Sequence, residues 1–225
     1  MTPVLSIIVP VLNEAAGIVS TLLALAPLRA RGAEVIVVDG GSDDATVELA
    51  AAQADRVVAA ALGRARQMNA GAALARAPVL LFLHADTRLP EGAARLIQAA
   101  VECGSSWGRF DVRIDGRARM LRVVAKMMNL RSRLTGIATG DQAMFATRMA
   151  FHRAGGFPDQ PLMEDIELSR RLRLLAPPAC LRDRVVTSGR RWERHGVWHT
   201  IFLMWRLRWR YWRGASPQAL AEVYR

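Results

Sequence analysis

Four short apolar runs, separated by segments with helical spacing, constrain the fold of this 225-residue chain more than any other feature. The runs occupy residues 4–11, 33–40, 55–60 and 78–86, and the helical segments between them occupy 15–30, 43–54 and 63–77. Strands that are apolar along their whole length are typical of a parallel sheet with helices on both faces. We therefore predict an α/β fold with a mainly parallel sheet.

The second half of the chain alternates helices and strands less regularly. We predict a helix from Leu89-Pro90 to about Cys103, a strand over 105–115, a basic helix over 117–131, a turn and short strand over 139–148, and a helix that begins near Glu164 and ends before Pro177-Pro178. No repeat or linker divides the chain. We predict one domain over residues 1–195 and a helical extension over residues 196–225.

Composition and the first residues restrict the class of protein. The chain is 52% hydrophobic and 23% charged, which is typical of a globular protein. Its start has no basic leader, and Pro10 and Asn13-Glu14 interrupt the apolar stretch, so we expect neither a signal peptide nor a membrane span. Cys103 and Cys180 lack CxxC or zinc spacing, and we predict reduced, structural cysteines in a cytoplasmic protein.

Three polar clusters directly follow predicted strands. They are Asn13-Glu14, Asp39 with Gly40-Gly41-Ser42, and His84 with Asp86. Ligands of open α/β sheets bind beyond the carboxyl ends of the strands, so these clusters predict one shared crevice. Each cluster taken alone is equally typical of turn or helix-cap chemistry.

The motifs in their order resemble glycosyltransferase family 2, which has the GT-A fold. The resemblance covers residues 4–195 and rests on SIIVPVLNE, VVDGGSDDAT, FLHADTRLP, GDQAMF, MEDIELSRRL and GRRW. Within that family, GRARQMNAGA followed by LFLHADTRLP is most similar to the short bacterial proteins called radical-SAM/selenodomain-associated transferase 2. That name describes a gene neighbourhood and identifies no substrate. The resemblance implies an inverting, metal-dependent enzyme that transfers a sugar from a UDP- or GDP-type nucleotide diphosphate sugar to a hydroxyl acceptor.

The same resemblance implies a metal site after the fourth strand, where Asp86 would hold Mn²⁺ or Mg²⁺ against the donor diphosphate. The family usually has a D-x-D sequence here, whereas this chain has His84-Ala85-Asp86. His84 is therefore a second candidate ligand, better suited to Mn²⁺ than to Mg²⁺. The alternatives are that His84 contacts the core or a neighbouring group, and that Asp86 caps the following helix. An inactive transferase also stays open, because His84 replaces the expected acid.

The remaining site residues follow from the same resemblance. It implies that Asp39 contacts the nucleotide base, and that Arg191 pairs with the diphosphate. The other implied donor contacts are Pro10, Asn13, Glu14, Gly40 and Arg66. The implied sugar or acceptor contacts are Gly140, Asp141, Gln142, Glu164 and Trp192. Ser188 stands where processive members have the Gln of Q-x-x-R-W, which argues against a polymerising synthase.

Asp165 is the candidate catalytic base. An inverting transfer needs one carboxylate to remove the proton of the acceptor hydroxyl, and the family's ED pattern assigns this role to the second acidic residue. A position in the first turn of a helix keeps the carboxylate ionised. Glu164 and Glu167 share that position, so all three acids are also explained by the helix dipole alone.

The C-terminal segment carries an aromatic stripe and much of the positive charge. Trp198, Phe202, Trp205, Trp209 and Trp212 recur at spacings of four and three, with Arg206, Arg210 and Arg213 beside them. The uninterrupted apolar part of the segment is far shorter than the roughly 20 residues that a membrane span needs. The pattern over residues 197–213 predicts a helix that lies in a membrane interface. Packing against the domain or a dimer partner is an equal alternative. The net charge of +11 attracts anions in general, but we expect no nucleic-acid partner.

Two rival functions remain at this level. A sugar nucleotidyltransferase would have a basic, glycine-rich loop after its first strand, where this chain has PVLNEAAG. A non-catalytic module that binds membrane or nucleic acid would depend on the basic C-terminus. A dehydrogenase or NTPase is disfavoured, since neither GxGxxG nor GxxxxGK[ST] occurs. A lipid-linked acceptor is compatible with a C-terminal helix at a membrane surface.

Overall fold

A computed structural model of the protein describes residues 3–224. It confirms the predicted α/β architecture, in which one sheet has helices on both faces. The strands are β1 (Leu5–Val11), β2 (Ala33–Asp39), β3 (Arg56–Ala59), β4 (Val79–Phe82), β5 (Thr87–Arg88), β6 (Trp107–Asp115), β7 (Phe145–Thr147) and β8 (Ala179–Ser188).

The helices agree with the predicted segments to within a few residues in most cases. They are α1 (Ala15–Arg29), α2 (Thr46–Ala51), α3 (Arg64–Leu74), α4 (Ala93–Glu102), α5 (Met120–Thr135), α6 (Arg148–Arg153), α7 (Glu164–Leu175), α8 (Arg190–His195), α9 (Val197–Trp212) and α10 (Pro217–Tyr224), with a 3-10 helix at Gly140–Gln142. The sequence did not predict β5, β8, α6 or α8. Within the described part of the chain, no helix combines the length and apolar character needed to cross a bilayer.

The sheet has the strand order β3-β2-β1-β4-β7-β6-β8-β5. Its first four strands are parallel, and Val11 at the end of β1 lies opposite Asp39 at the end of β2. Strand β7 runs antiparallel to both β4 and β6, while β8 is parallel to β6. The carboxyl ends of β1, β2 and β4 therefore form one edge of the sheet. The carboxyl end of β8 lies near this edge, because it pairs with the two-residue β5, which follows β4 in the chain.

Alternate residues of the central strands pack into separate cores on the two faces. Ile7 and Val9 of β1 face the core that contains α1, whereas Ile8 faces the core that contains α3. Gly71 permits the close approach of α3, because a Cβ there would lie 3.0 Å from a methyl carbon of Val38. The two cysteines are unpaired; Cys180 is half-buried, whereas Cys103 is exposed, which does not fit the structural role predicted for it.

Candidate active site

A cavity of about 840 Å³ lies beyond the carboxyl ends of β1 and β4. Ten of the residues predicted for the site line it: Pro10, Glu14, His84, Asp86, Gly140, Asp141, Glu164, Asp165, Arg191 and Trp192. These residues come from distant parts of the sequence and from strands, turns and helix starts. The cavity is polar at this end and apolar where α5 and α9 form its walls.

Asp86 and Glu14 face each other across Arg190, the first residue of α8. Arg190 Nη2 lies 3.5 Å from Glu14 Oε2 and 3.9 Å from Asp86 Oδ2. The loop after β4 leaves the Asp86 carboxylate available, because α4 begins seven residues later with Gly92 as its N-cap. Asp86 is therefore not a helix cap. Both ion pairs are long and the Arg190 side chain is exposed, so they hold the partly exposed carboxylates weakly.

The carboxylate of Asp86 is the type of ligand that a hard divalent cation binds. Residues 3–224 contain no cluster of three or more His, Cys, Asp or Glu side chains arranged to hold a metal ion. Mg²⁺ sites often use one or two carboxylates and take their other ligands from substrate phosphates and water. Asp86 is partly exposed in the cavity wall and meets that pattern.

His84 faces a turn and not the Asp86 carboxylate. Its Nδ1 lies 3.3 Å from Asp141 Oδ1, and its buried Nε2 is pressed against Gly140, where a Cβ would clash with the ring. Burial works against ionisation of Asp141, but the hydrogen bond and charge of His84, with the charges of Arg64 and Arg191, lower its pKa below the usual range. His84 thus contacts a neighbouring acidic group, Asp141, and whether it ligates a metal stays a prediction.

The two acidic residues at the start of α7 have different environments. Asp165 Oδ2 accepts a hydrogen bond of 2.8 Å from the Gly140 N–H, which aims its carboxylate at the turn beside His84. Glu164 is buried, with Arg64 Nη1 at 3.6 Å. Burial and the Asp165 charge raise the pKa of Glu164, although Arg64 opposes them. Burial thus favours the protonated form of Glu164. Both acids line the cavity, and Asp165 is the one whose carboxylate the Gly140 N–H orients.

Four arginines bring positive charge into the cavity wall: Arg64 from α3, Arg131 from α5, Arg191 from α8 and Arg208 from α9. The Nε and Nη2 atoms of Arg131 are buried and have no hydrogen-bond partner. Burial lowers the pKa of Arg131, while Asp165 opposes this effect. A buried guanidinium with unpaired N–H groups is costly, so this wall is suited to an anionic ligand.

The C-terminal helix α10 closes one side of the cavity. Arg191 stacks on the Tyr224 ring, with 3.6 Å between its Cζ and the ring centroid, and donates a 2.8 Å hydrogen bond to the Tyr224 carbonyl. Burial raises the pKa of Tyr224, and the charges of Arg191 and Arg64 act in the opposite direction. The guanidinium predicted to grip a diphosphate is therefore held in position by the end of the described chain.

Five predicted site residues do not line the cavity: Asn13, Asp39, Gly40, Arg66 and Gln142. Asp39 accepts hydrogen bonds from the Gly41 and Ser42 N–H groups and the Ser42 hydroxyl. Although burial opposes ionisation, these donors lower the pKa of Asp39. Asn13, in the left-handed region at φ 54°, joins the loops after β1 and β2, because its Oδ1 accepts from Asp43 N. Both residues thus organise the loops next to the cavity.

The other three residues have structural partners elsewhere. Arg66 forms an exposed ion pair with Asp159 at 2.7 Å. Gln142 is fully buried, and its Oε1 accepts from the Thr139 N–H. Gly40 packs against the Gln67 amide, which donates to the Val11 and Val38 carbonyls. In this arrangement Arg64 lines the cavity and Arg66 does not.

Sequence reasoning missed Arg64, Arg131 and Tyr224. Arg64 and Arg66 are two positions apart on α3, so they lie on different sides of the helix. The only sequence signal for Arg64 is that it is the first residue of α3, at the end of the helix nearest the strand ends. Arg131 is one of several cations in a basic helix, and no local pattern distinguishes it. Tyr224 reaches the cavity only because α10 folds back on α9.

Comparisons with solved structures agree with this fold. S. aureus TarS residues 1–349, in complex with UDP-GlcNAc, superposes with a TM-score of 0.67 at 19% identity, over 82% of this chain and 58% of that one. The mannosyltransferase PcManGT from Pyrobaculum calidifontis, in complex with GDP-Man and Mn²⁺, superposes with a TM-score of 0.66 at 19% identity, over 100% of this chain and 69% of that one. The chain thus spans less than two thirds of the TarS fragment.

A third similar structure is glucosyl-3-phosphoglycerate synthase from Mycobacterium tuberculosis, in complex with Mn²⁺, UDP and glucosyl-3-phosphoglycerate. It has a TM-score of 0.56 at 20% identity, over 81% of this chain and 70% of that one. No curated protein matches the chain. Residues 6–155, which run from the second residue of β1 to beyond the end of α6, match the family described as Glycosyl transferase family 2. The fold and this match, which covers well over half of the chain, lead to one conclusion: the chain belongs to glycosyl transferase family 2.

Proposed function

We propose that the protein is an inverting, metal-dependent glycosyltransferase that moves a sugar from a nucleotide diphosphate sugar to a hydroxyl acceptor. The observation that carries the proposal is the shared cavity, where Glu14, Asp86 and Asp165 from distant motifs meet Arg64 and Arg191. An acidic group for a cation, positive charge for a diphosphate and a separate carboxylate for a hydroxyl are the groups that this reaction needs.

The donor diphosphate would lie between Asp86 and the arginines. Arg64 and Arg191 would bind its oxygens, and the unpaired N–H groups of Arg131 are available to the same anion or to an anionic group of the acceptor. A Mn²⁺ or Mg²⁺ ion held by Asp86 would neutralise the charge that develops on the leaving diphosphate. Complexes of similar structures with UDP-GlcNAc and with GDP-Man and Mn²⁺ support a UDP- or GDP-type donor.

Asp165 would act as the base toward the acceptor. Its carboxylate is oriented by the Gly140 N–H, and a single carboxylate in this position suits a direct displacement with inversion. Glu164 is less suited to the role, because its raised pKa and its burial favour the protonated form. Asp39 and Asn13 would act through the loops that border the donor site, with the nucleotide base beside them.

The acceptor and the location are also part of the proposal. The apolar end of the cavity fits an acceptor with an apolar portion, including a lipid-linked one. The two unpaired cysteines are compatible with the reducing cytoplasm. Assignment to the radical-SAM/selenodomain-associated transferase 2 subgroup rests on the GRARQMNAGA and LFLHADTRLP motifs. Family membership favours this function over a nucleotidyltransferase or a non-catalytic module.

Calorimetric titration with UDP and GDP, each with Mn²⁺ or EDTA, tests the donor site. We expect one diphosphate to bind in a Mn²⁺-dependent manner, and Asp86→Ala to weaken that binding by at least about tenfold, because the carboxylate is the proposed protein ligand of the cation. Asp183→Ala, at an exposed position of β8, is the matched control and should bind as the wild type does. Failure of the wild type to bind either diphosphate, or equal binding by Asp86→Ala, would contradict the proposal.

A further inference from the structure

Helix α9 packs on the domain with the face opposite its aromatic stripe. Thr200 and Leu207 are buried, and Leu207 forms a small core with Met163 of α7 and Leu220 of α10. The aromatic side chains on the other face are 57–81% exposed: Trp198, Phe202, Trp205, Trp209 and Trp212. The stripe therefore does not pack against the domain, which was one alternative left open by the sequence. Five large exposed aromatic side chains in one row indicate a contact surface.

Helix α5 carries a second exposed apolar stripe. Leu121 and Ala125 face the core, whereas four apolar residues on another side of the helix are 50–77% exposed: Val123, Met127, Leu130 and Leu134. They recur at spacings of four and three, so they form one row. Exposed members of both rows, including Val123 and Met127 of α5, line the same cavity. The two stripes therefore lie on either side of one cavity.

The charge on both helices is entirely positive. Neither α5 nor α9 contains Asp or Glu. Arg122 and Lys126 flank the exposed stripe of α5, and Arg206 and Arg208 lie on opposite sides of the stripe of α9. Apolar stripes with cationic flanks match a surface that is apolar inside and anionic at its boundary, as in a bilayer with anionic headgroups.

A second copy of the chain is a poorer occupant of this surface. A symmetric dimer would bring the same patch of each copy together, so the arginines of one copy would face those of the other with no acidic residue from either helix between them. Like charges opposed in this way disfavour association. The charge pattern thus distinguishes an anionic lipid surface from a homodimer.

We infer that the exposed apolar stripes of α5 and α9 form one docking face for an anionic lipid bilayer, which positions the cavity between them at the membrane surface. Trp and Phe side chains of α9 and the aliphatic side chains of α5 enter the headgroup boundary, and the flanking cations contact lipid phosphates. This inference goes beyond the proposed donor chemistry and does not depend on it.

Co-sedimentation with phosphatidylcholine vesicles, with and without phosphatidylglycerol, tests the docking face. We expect the wild type to bind only the phosphatidylglycerol vesicles and to dissociate at high salt. Two double variants outside the cavity lining, Phe202→Ser/Trp209→Ser in α9 and Leu130→Ser/Leu134→Ser in α5, should each lose on the order of tenfold or more in vesicle affinity. The control Met149→Ser/Leu174→Ser removes equally exposed apolar side chains from α6 and α7 and should bind normally.

Several results would overturn the inference. These are a wild type that binds no anionic vesicles, equal binding to neutral vesicles, loss in only one of the two double variants, and equal loss in the control. A wild-type dimer in sedimentation velocity that Phe202→Ser/Trp209→Ser converts to a monomer would assign the face to a second copy instead. Nucleotide calorimetry on the same preparations separates the two proposals, because nucleotide binding without vesicle binding contradicts only the docking face, and the converse contradicts only the donor site.

Discussion

At the scale of single residues, the site depends on which atom each polar side chain presents to the cavity. Gly140 is central, because its N–H donates to Asp165 and its missing side chain leaves room for the His84 ring. His84 in turn lies beside Asp141. The two polar residues of His84-Ala85-Asp86 therefore have different settings: His84 contacts the 140–141 turn, and Asp86 is the proposed cation ligand.

Asp165→Asn tests the proposed base. The amide preserves size and can still accept from Gly140 N–H, but it cannot take a proton, so we expect the rate to fall by about 10²- to 10⁴-fold. The measurement is donor hydrolysis, in which water replaces the acceptor hydroxyl, followed as release of UDP or GDP. Donor affinity by calorimetry should stay within about twofold, since Asp165 is not proposed to bind the diphosphate.

Glu167→Gln is the control for this prediction. Glu167 lies in the same helix, pairs with Arg170 and Arg171, and does not line the cavity. It should retain the wild-type rate. A rate for Asp165→Asn equal to that of the control would show that another group serves as base.

At the scale of elements, a buried carboxylate ties β1, β2 and the loop before β4 together. Glu34 of β2 is almost fully buried, and it accepts hydrogen bonds from the Ser6 hydroxyl and from the Arg76 N–H and Nε groups. The Ala77 N–H donates to Ser6 Oγ. Burial alone would raise the pKa of Glu34, but these donors lower it. The network fixes strands whose far ends carry the site.

Glu34→Gln should destabilise the protein by about 1–3 kcal/mol at neutral pH, because it removes charged hydrogen bonds in a buried network. The pKa of Glu34 in the folded state is below its unfolded-state value of about 4.3. The ionised carboxylate therefore stabilises the fold above that pH, and this stabilisation is lost as the pH falls through the folded-state pKa. Urea unfolding of both proteins from pH 7 to pH 3 measures this difference. The prediction would be wrong if the difference in the free energy of unfolding between wild type and Glu34→Gln does not decrease below about pH 4.

At the scale of the whole molecule, the C-terminal helices have their own small core. Leu207 of α9 and Leu220 of α10 are buried with Met163, next to the start of α7, and are separate from the two cores of the sheet. Gly196, at φ 83°, lies between α8 and α9. We keep the boundary between residues 195 and 196 as a proposal that agrees with this separate core. The same core links α10 to the start of α7, the helix that bears Asp165.

Leu207→Ala should loosen this small core selectively. Deletion of a buried Leu side chain costs about 2–5 kcal/mol, and here the lost contacts belong mainly to α9, α10 and the start of α7. Hydrogen exchange followed by mass spectrometry should show faster exchange over residues 197–224, with β1, β2 and β4 unchanged. Leu81→Ala, in the core of the sheet, should accelerate exchange throughout the chain. Uniform acceleration in Leu207→Ala would mean that the extension and the domain unfold together.

Much of the fold followed from the sequence because its signals are local. Four apolar runs of strand length with helical segments between them predict parallel β-strands, and each run became a strand of the sheet. Strand β8 escaped prediction since Arg182, Asp183 and Arg184 interrupt its apolar pattern, while its pairing with β6 is a tertiary feature. The two-residue β5 has no detectable pattern of its own.

The sequence by itself determined the fold class, because its apolar runs and helical segments follow from residue order. Its motifs resemble the family, and that resemblance, together with the strand-end argument, implied ten of the residues that line the cavity. Only the tertiary structure decided that Arg64 and not Arg66 reaches the cavity, that Asp39 binds its own loop, and that α9 leaves its aromatic stripe exposed. The reason is physical: local periodicity identifies the faces of an element, but which face is buried depends on what the rest of the chain packs against it.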